Sequence, residues 1–373
     1  MPTSVLFVGA LPPPVGGQSN INQQMVNLLR SKCRLTIIDL SSGRLERSLG
    51  YHFQKIVRVI KGICLVLRNA GTGQPLYLSA DSGLGLFYNV LIVVFARFAG
   101  NEIFLHYHSF SFIDRRSRLM TLLVRVSGAR ATHIFLCDTM RDRFRQEYPF
   151  KGPSFLCSNA RFVPPKPTLR PPIGGGRALT VGLLSHLNAE KGLYDFLSLL
   201  RAAKQRQLPL RGILAGPPVS AANAEAITAA GEELGGYLEF RGPLYGEAKE
   251  RFYAEIDAFL FPTRFRVEAQ PVVLLEALAH GVPIISYARG CISSDIRGDA
   301  GYIIPTSGDF VTDALAYLEG WLAEPRAYEA SREAAGRLSH ELHDGAEHGF
   351  EALFSVLVRA TMEPKAVTTS KNV

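Results

Sequence analysis

The sequence lacks the features that mark several common protein classes. It has five cysteines in 373 residues, spaced neither as a disulfide framework nor as metal ligands. Its first residues lack the basic region and the longer apolar stretch of a signal peptide. Its most apolar window, residues 83–99, is interrupted by Asn89 and Arg97, and a membrane-spanning helix needs about 20 apolar residues. These absences favour a cytoplasmic protein without a transmembrane helix.

Acidic residues are outnumbered by basic ones: 41 Lys and Arg stand against 33 Asp and Glu, a formal net charge of +8. No zinc-ligand framework or RNA-recognition motif accompanies this charge, so we expect no nucleic-acid partner. Basic and apolar residues alternate in two stretches, 55–68 and 115–130, as they do in basic amphipathic helices. Either these stretches show ordinary solvated faces, or they attach the protein peripherally to an anionic membrane surface.

Strand and helix patterns alternate along the chain and predict an α/β protein with two doubly wound, Rossmann-like domains. The predicted divisions are a first domain at 1–163, a linker at 164–176, a second domain at 177–340, a C-terminal helix at 341–363 that crosses back to the first domain, and a disordered tail at 364–373. The linker is assigned from its many prolines and glycines, which favour neither helix nor strand. Near the C-terminus we expect two separate helices, at 325–339 and 349–359.

Two segments carry groups suited to an anion. Gly16 and Gly17 lie between a predicted strand and a predicted helix, where exposed amides and the helix dipole favour phosphate, although such a pair can equally be a simple turn. Lys191 lies in Asn188-Ala-Glu-Lys-Gly192, just before a predicted helix. Its compact cation could neutralise a pyrophosphate, or it could be an ordinary surface lysine.

Two carboxylates, Glu268 and Glu276, are separated by seven residues. The first follows a predicted strand and the second joins a predicted helix. Ligands of open α/β sheets bind outside the carboxyl ends of the strands, where Glu268 should lie. The two acidic groups could therefore converge on one polyol, or they could be a loop residue and a solvent-facing helix residue.

Two histidines end another predicted strand, in Ile103-Phe-Leu-His-Tyr-His-Ser109. Alternation along a strand places His106 and His108 on the same side. One of them could instead be a buried, hydrogen-bonded core residue.

The segment from Glu268 to Glu276, with Pro262-Thr263 before it and Ala-Leu-Ala-His-Gly-Val-Pro283 after it, resembles the Glu-x7-Glu signature of family 4 glycosyltransferases. The resemblance implies a retaining, nucleotide-sugar-dependent enzyme with the GT-B fold, in which two Rossmann-like domains face a central cleft. It also implies that Glu268 contacts the donor sugar and Glu276 the ribose.

Backbone amides between the two glutamates cradle the sugar and phosphates in that family. This chain has Ala269-Gln270-Pro271 where many members have Gly-Phe-Gly, and proline has no N–H to donate. In the turn at Pro271, the amide contacts are therefore expected from Gln270, Val272 and Val273.

The same resemblance assigns the other candidate residues. It implies that Lys191 contacts the phosphates and that His108, with His106 as second choice, contacts the reacting sugar. A second cation that many relatives carry is either missing here or replaced by His186. The further donor-binding candidates are Gly16, Gly17, Gly216 and Leu244, and Arg264 and Arg266 are candidates for phosphate or acceptor contacts.

No Asp-x-Asp occurs in the chain, so we expect neither a metal nor a cofactor beyond the nucleoside diphosphate sugar. The implied reaction is transfer from a UDP- or GDP-sugar to a hydroxyl of a glycan acceptor. A lipid-linked acceptor, in exopolysaccharide or lipopolysaccharide assembly at the inner face of the cytoplasmic membrane, is favoured. The alternatives are a sugar-nucleotide epimerase or phosphorylase of the same fold, and a non-catalytic membrane-attached binding protein.

Overall fold

The computed structural model describes residues 4–14, 16–41, 49–166 and 177–362, without the side chains at 49–52 and 359–362. Two compact units are present: unit 1 runs to Ser158 and resumes at Ala346, and unit 2 comprises Asn159–Gly345. Most of the predicted linker and the whole predicted disordered tail lie outside the described residues.

Unit 1 is built on a six-stranded parallel sheet in the order β2-β1-β3-β4-β5-β6. Its elements are β1 Ser4–Gly9, α1 Gly17–Arg30, β2 Arg34–Asp39, α2 Leu49–Arg68, β3 Leu76–Ala80, α3 Gly85–Phe98, β4 Ile103–Tyr107, α4 Ser111–Asp114, α5 Arg118–Ser127, β5 Thr132–Phe135, α6 Asp138–Glu147 and β6 Ser154–Leu156. The chain winds from β1 to β2 on one side and returns to β3 on the other. The switch point of this sheet is therefore at the carboxyl ends of β1 and β3.

Unit 2 repeats the plan, with strand order β12-β11-β10-β7-β8-β9. Its elements are β7 Leu179–Leu184, α7 Leu193–Gln205, β8 Leu210–Ala215, α8 Ala221–Leu234, β9 Leu238–Gly242, α9 Gly246–Glu255, β10 Ala258–Phe261, α10 Val272–Ala279, β11 Ile284–Tyr287, α11 Ile292–Asp295, β12 Gly301–Ile304 and α12 Phe310–Ala323. The last helix, α13 Pro325–Met362, begins in unit 2, and its residues from Ala346 onward belong to unit 1. Here the switch point lies between β7 and β10.

Four of the inner strands are buried on both faces. Every residue of β3, β4, β7 and β10 is buried, as expected where crossover helices cover both sides of a parallel sheet. These strands accordingly read as continuous apolar runs in the sequence. The predicted α/β fold with two doubly wound, Rossmann-like halves is confirmed.

The C-terminal helix differs from the prediction. The two helices expected at 325–339 and 349–359 form one continuous helix, α13, and no helix boundary coincides with the predicted division after residue 340. The intervening residues include no proline, and a single interior glycine such as Gly345 costs a helix only about 1 kcal/mol. Buried Leu338, Ala346 and Phe350 continue the apolar side through that stretch. Among the described residues, no helix is both long enough and apolar enough to cross a membrane.

Candidate functional site

The candidate site of unit 2 lies at the switch point of its sheet. One loop follows β7 and carries Lys191; another follows β10 and carries Glu268. Because β7 and β10 are neighbouring parallel strands, both loops leave the same edge of the sheet. The side chains of Lys191 and Glu268 form an ion pair there, and they are only 17% and 12% exposed. Residues that are 77 positions apart in the chain are thus brought together.

The ammonium group of Lys191 is held on several sides. Besides Glu268, it lies 4.5 Å from the ring centroid of Phe265 and 5.7 Å from that of Phe261, distances at which a cation is attracted to an aromatic face. The side-chain oxygen of Asn188 accepts a hydrogen bond from the Lys191 amide at 2.9 Å. An anion that binds this lysine must compete with Glu268 for it.

Two glycines allow the loops to approach each other. Gly192 has φ +85°, and a Cβ there would lie 2.2 Å from the Cγ of Pro262. Gly290 has φ +57°, and a Cβ there would lie 2.4 Å from the carbonyl oxygen of Ala269. Larger residues at either position would meet both backbone strain and a steric clash. The loop around Glu268 is therefore fixed from both sides by backbone contact.

Glu276, on α10, has partners that sequence reasoning missed. The Nζ of Lys249 lies 2.5 Å from its Oε1, and the hydroxyl of Tyr253 donates to its Oε2 at 3.0 Å. Burial, and next the charge of Glu276, raise the pKa of Tyr253 well above its ordinary value, so the phenol remains a donor. The carboxylate of Glu276 is thus held in place beside a second cation of the site.

The side chain of Gln270 is used inside unit 2. It is 5% exposed; its oxygen accepts from the Asn159 amide at 2.7 Å, and its nitrogen donates to Asp295 at 2.9 Å. Pro271 caps α10, whose first amides belong to Val272 and Val273. Amides in the first turn of a helix have no acceptor within the helix, so these two remain suited to an anion.

Several other candidates are tied to the fold of unit 2. Arg264 pairs with Asp195 at 3.1 Å and lies 4.2 Å from the ring centroid of Tyr287. Gly216 is buried with φ +121°, and a Cβ there would lie 1.7 Å from the Ser185 carbonyl oxygen. Leu244 packs against the core. The side chains of His186 and Arg266, in contrast, are exposed.

Comparison with known proteins gives this site a family context. Residues 176–320 match the family model for glycosyl transferases group 1. This matched segment contains Lys191, Glu268 and Glu276. A search of curated protein sequences gives no significant match.

Three solved structures share the fold over nearly the whole chain. The lipopolysaccharide outer core galactosyltransferase WaaB, in its apo form, aligns with TM-score 0.70 and 14% identity over 95% of this chain and 100% of its own. Anabaena HepE in complex with UDP aligns with TM-score 0.67 and 13% identity over 95% and 100%. Sucrose-phosphate synthase from Thermosynechococcus elongatus aligns with TM-score 0.70 and 15% identity over 96% and 100%. These likenesses confirm the predicted GT-B fold.

Outside the matched segment, Gly16 and Gly17 begin α1 at the switch point of unit 1. The Gly16 amide already donates to Ser19 Oγ at 2.9 Å, and that hydroxyl donates to the Pro14 carbonyl. A Cβ on Gly17 would meet no described atom within 4 Å. Among the described residues, the Gly16 amide thus already has an acceptor, and the Cβ position of Gly17 is unobstructed.

The two candidate histidines are adjacent, with ring centroids 4.0 Å apart. His106 is 2% exposed and bonds to the hydroxyl of Tyr77. Burial lowers the pKa of His106 well below its ordinary value and lowers the pKa of His108 to about 4. Both are neutral at neutral pH, so His108, just beyond β4, can exchange hydrogen bonds but carries no charge.

The site residues that were not predicted, Gly192, Lys249 and Tyr253, differ in how clearly the sequence indicates them. Gly192 stood in the segment that suggested Lys191, and glycine is typical where a chain enters a helix in the left-handed conformation. Lys249 and Tyr253 gave no such signal. A basic residue on a helix usually faces solvent, and an aromatic residue usually contacts the core.

Proposed function

We propose that this protein is a glycosyltransferase that moves a sugar from a nucleoside diphosphate sugar, UDP- or GDP-linked, to a hydroxyl of a glycan acceptor. The observation that carries this proposal is the ion pair between Lys191 and Glu268. It stands at the switch point of a sheet whose residues match glycosyl transferases group 1.

The geometry supports a simple exchange on donor binding. A diphosphate that reaches Lys191 attracts the ammonium away from Glu268, whose carboxylate then accepts hydrogen bonds from the sugar hydroxyls. The amides of Val272 and Val273 and the positive end of the α10 dipole favour the same anion. As the sugar–phosphate bond breaks, these groups stabilise the charge that develops on the leaving diphosphate. Because they offset this charge, we propose that no metal is needed.

Glu276 fits the nucleotide side of the donor. Its carboxylate, oriented by Tyr253, can accept hydrogen bonds from ribose hydroxyls, while Lys249 balances its charge. This arrangement and the seven-residue spacing support assignment to family 4 and therefore a retaining mechanism. In that mechanism the leaving phosphate helps to deprotonate the acceptor on the same face of the sugar. His108, as a neutral imidazole, is proposed to contact the reacting sugar.

The structural neighbours suggest where such a reaction belongs. HepE was solved with UDP and with UDP-glucose, and WaaB is a lipopolysaccharide galactosyltransferase. We therefore favour a UDP-sugar donor and a lipid-linked acceptor in exopolysaccharide or lipopolysaccharide assembly. The enzyme would work in the cytoplasm, attached peripherally to the inner face of the membrane.

The deciding experiment compares Glu268→Ala with the wild-type protein. A panel of UDP- and GDP-sugars, with release of nucleoside diphosphate as the readout, first identifies the donor. We expect Glu268→Ala to reduce transfer by about 100-fold or more, on the scale of removing one electrostatic contact in an active site. Donor incubated without acceptor, or with inorganic phosphate, tests for epimerase or phosphorylase activity.

A matched control is Glu190→Ala, which removes an exposed carboxylate next to Lys191. It should keep near wild-type turnover. Circular dichroism checks that both variants are folded. Normal turnover in folded Glu268→Ala would refute the proposal.

A further inference from the structure

Helix α2 in unit 1 is oriented with apolar side chains toward solvent. Phe53, Ile56, Ile60 and Leu67 are 69%, 45%, 55% and 45% exposed. Their spacing places them on one face of the helix, and the exposed Cys64 lies on the same face. We refer to these residues as the α2 stripe.

Two of the four basic residues of α2 form ion pairs within unit 1, whereas Lys61 and Arg68 are exposed. Lys55 pairs with Asp81 at 3.5 Å, with only 12% and 18% of the two side chains exposed, and Arg58 pairs with Asp39 at 2.8 Å. An amphipathic helix on the surface of a soluble protein ordinarily shows its charges outward. The exposed side of α2 therefore carries the apolar stripe beside the cations Lys61 and Arg68.

The α2 stripe does not stand alone. Helix α3 packs against both α2 and α5. Leu84 and Phe98, at the two ends of α3, are 80% and 84% exposed, and Phe87 in its first turn is 51% exposed. Helix α5 adds Leu122, which is 41% exposed. Scattered exposed apolar residues are normal, but several on three adjoining helices indicate an interaction surface.

The charged residues on the three helices of this surface are all basic. Helices α2, α3 and α5 contain no Asp or Glu. Exposed cations accompany the apolar residues, namely Lys61 and Arg68 on α2 and Arg118 and Arg125 on α5. On α5, Leu122 shares one face with Arg118 and Arg125 because they are spaced by four and three residues. Exposed apolar side chains on helices whose charged residues are all basic are complementary to an anionic bilayer.

We propose that the α2 stripe, with the exposed residues of α3 and α5, docks this protein onto an anionic lipid bilayer. Helix α2 lies in the interface, its stripe enters the boundary between headgroups and acyl chains, and the surrounding cations contact lipid phosphates. A second copy of the chain is a poorer occupant, because a symmetric pairing of this surface would bring like charges together. The surface identifies the partner within the proposed function, since a lipid-linked acceptor is presented at a membrane.

The test is co-sedimentation of the full chain with vesicles of phosphatidylglycerol and phosphatidylcholine, beside vesicles of phosphatidylcholine alone. Wild-type protein should bind the anionic vesicles and should bind the neutral vesicles only weakly. Ile60→Glu, at the centre of the α2 stripe, should weaken anionic-vesicle binding about tenfold or more, because a charge replaces a side chain that enters the interface. Gln54→Glu is the matched control, because it introduces the same charge at an exposed position of α2 outside the α2 stripe. It should weaken binding to anionic vesicles much less than Ile60→Glu does.

Equal binding to both kinds of vesicle, or equal losses in Ile60→Glu and Gln54→Glu, would overturn the proposal. So would concentration-dependent self-association without vesicle binding, which would identify a second copy as the occupant. Transfer to a water-soluble acceptor, measured on the same preparations, separates the two hypotheses. If transfer persists without vesicle binding, the docking proposal is wrong and the proposed function stands. If the protein binds vesicles but transfers no sugar, the docking proposal stands and the proposed function is wrong.

Discussion

The two sheets have the same winding, yet their switch points are built differently. In unit 2 the loops after β7 and β10 are locked together by Gly192 against Pro262 and by the ion pair of Lys191 with Glu268. In unit 1 the loop after β1 leads to Gly17, around which no described atom restricts a side chain. Charged pairs occur in both units, but in unit 1 the pair of Lys55 with Asp81 links α2 to the end of β3, whereas in unit 2 the pair of Lys191 with Glu268 joins the two loops themselves. The nearby histidines of unit 1 are neutral. A shared topology thus fixes where a site can lie, but the loops decide what chemistry it can perform.

The largest expected effect on stability comes from Gly192→Ala. The substitution introduces a Cβ into the space of Pro262 and imposes a left-handed backbone on an L-residue. We expect a loss of about 1–3 kcal/mol in the free energy of unfolding, and loss of transfer because Lys191 moves away from Glu268. Urea denaturation and donor turnover measure the two effects.

Gly231→Ala is the control for this substitution. Gly231 lies inside α8, and no described atom is within 4 Å of its Cβ position. Alanine there should stabilise the protein by about 0.5–1 kcal/mol, because glycine is a poor helix former. If both variants changed stability in the same direction, the steric account of the unit 2 loops would be wrong.

A second difference between the units is the direction in which pH changes their stability. In unit 1, burial lowers the pKa values of His108 and His133 to about 4. Between about pH 4 and the ordinary histidine pKa of about 6.5, the unfolded chain binds more protons, so stability should rise with pH. In unit 2, burial raises the pKa of Asp295 to about 7. The folded chain then binds more protons between about pH 4 and 7, so this contribution should fall as pH rises.

Hydrogen exchange at several pH values, corrected for intrinsic rates, measures amide protection in each unit separately. Unit 1 should become better protected as the pH increases from 4 to 6.5. Asp295→Asn should remove the opposing trend from unit 2, because an amide does not titrate. Parallel pH dependence in both units, unaltered by Asp295→Asn, would show that these buried groups do not control it.

Much of this organisation was predictable from sequence, because it depends on local pattern. Apolar runs alternating with helical periodicity gave the two doubly wound sheets, and the spacing of Glu268 and Glu276 indicated the loop and the helix that carry them. The bonds of Glu276 to Lys249 and Tyr253 depend on how α9 packs against α10, which no local pattern encodes. The continuous helix α13 was not predicted for a related reason. The helix continues through its polar middle because Leu338, Ala346 and Phe350 are buried by tertiary contacts.

The smallest expected effect on stability is that of Gly17→Ala, the unit 1 counterpart of Gly192→Ala. Since its Cβ position meets no described atom and lies at the start of α1, the free energy of unfolding should change by no more than about 0.5 kcal/mol. If the diphosphate of the donor approaches this backbone, the added methyl group occupies the space of a phosphate oxygen, and the KM for donor should rise several-fold. An unchanged KM would show that Gly17 does not contact the donor.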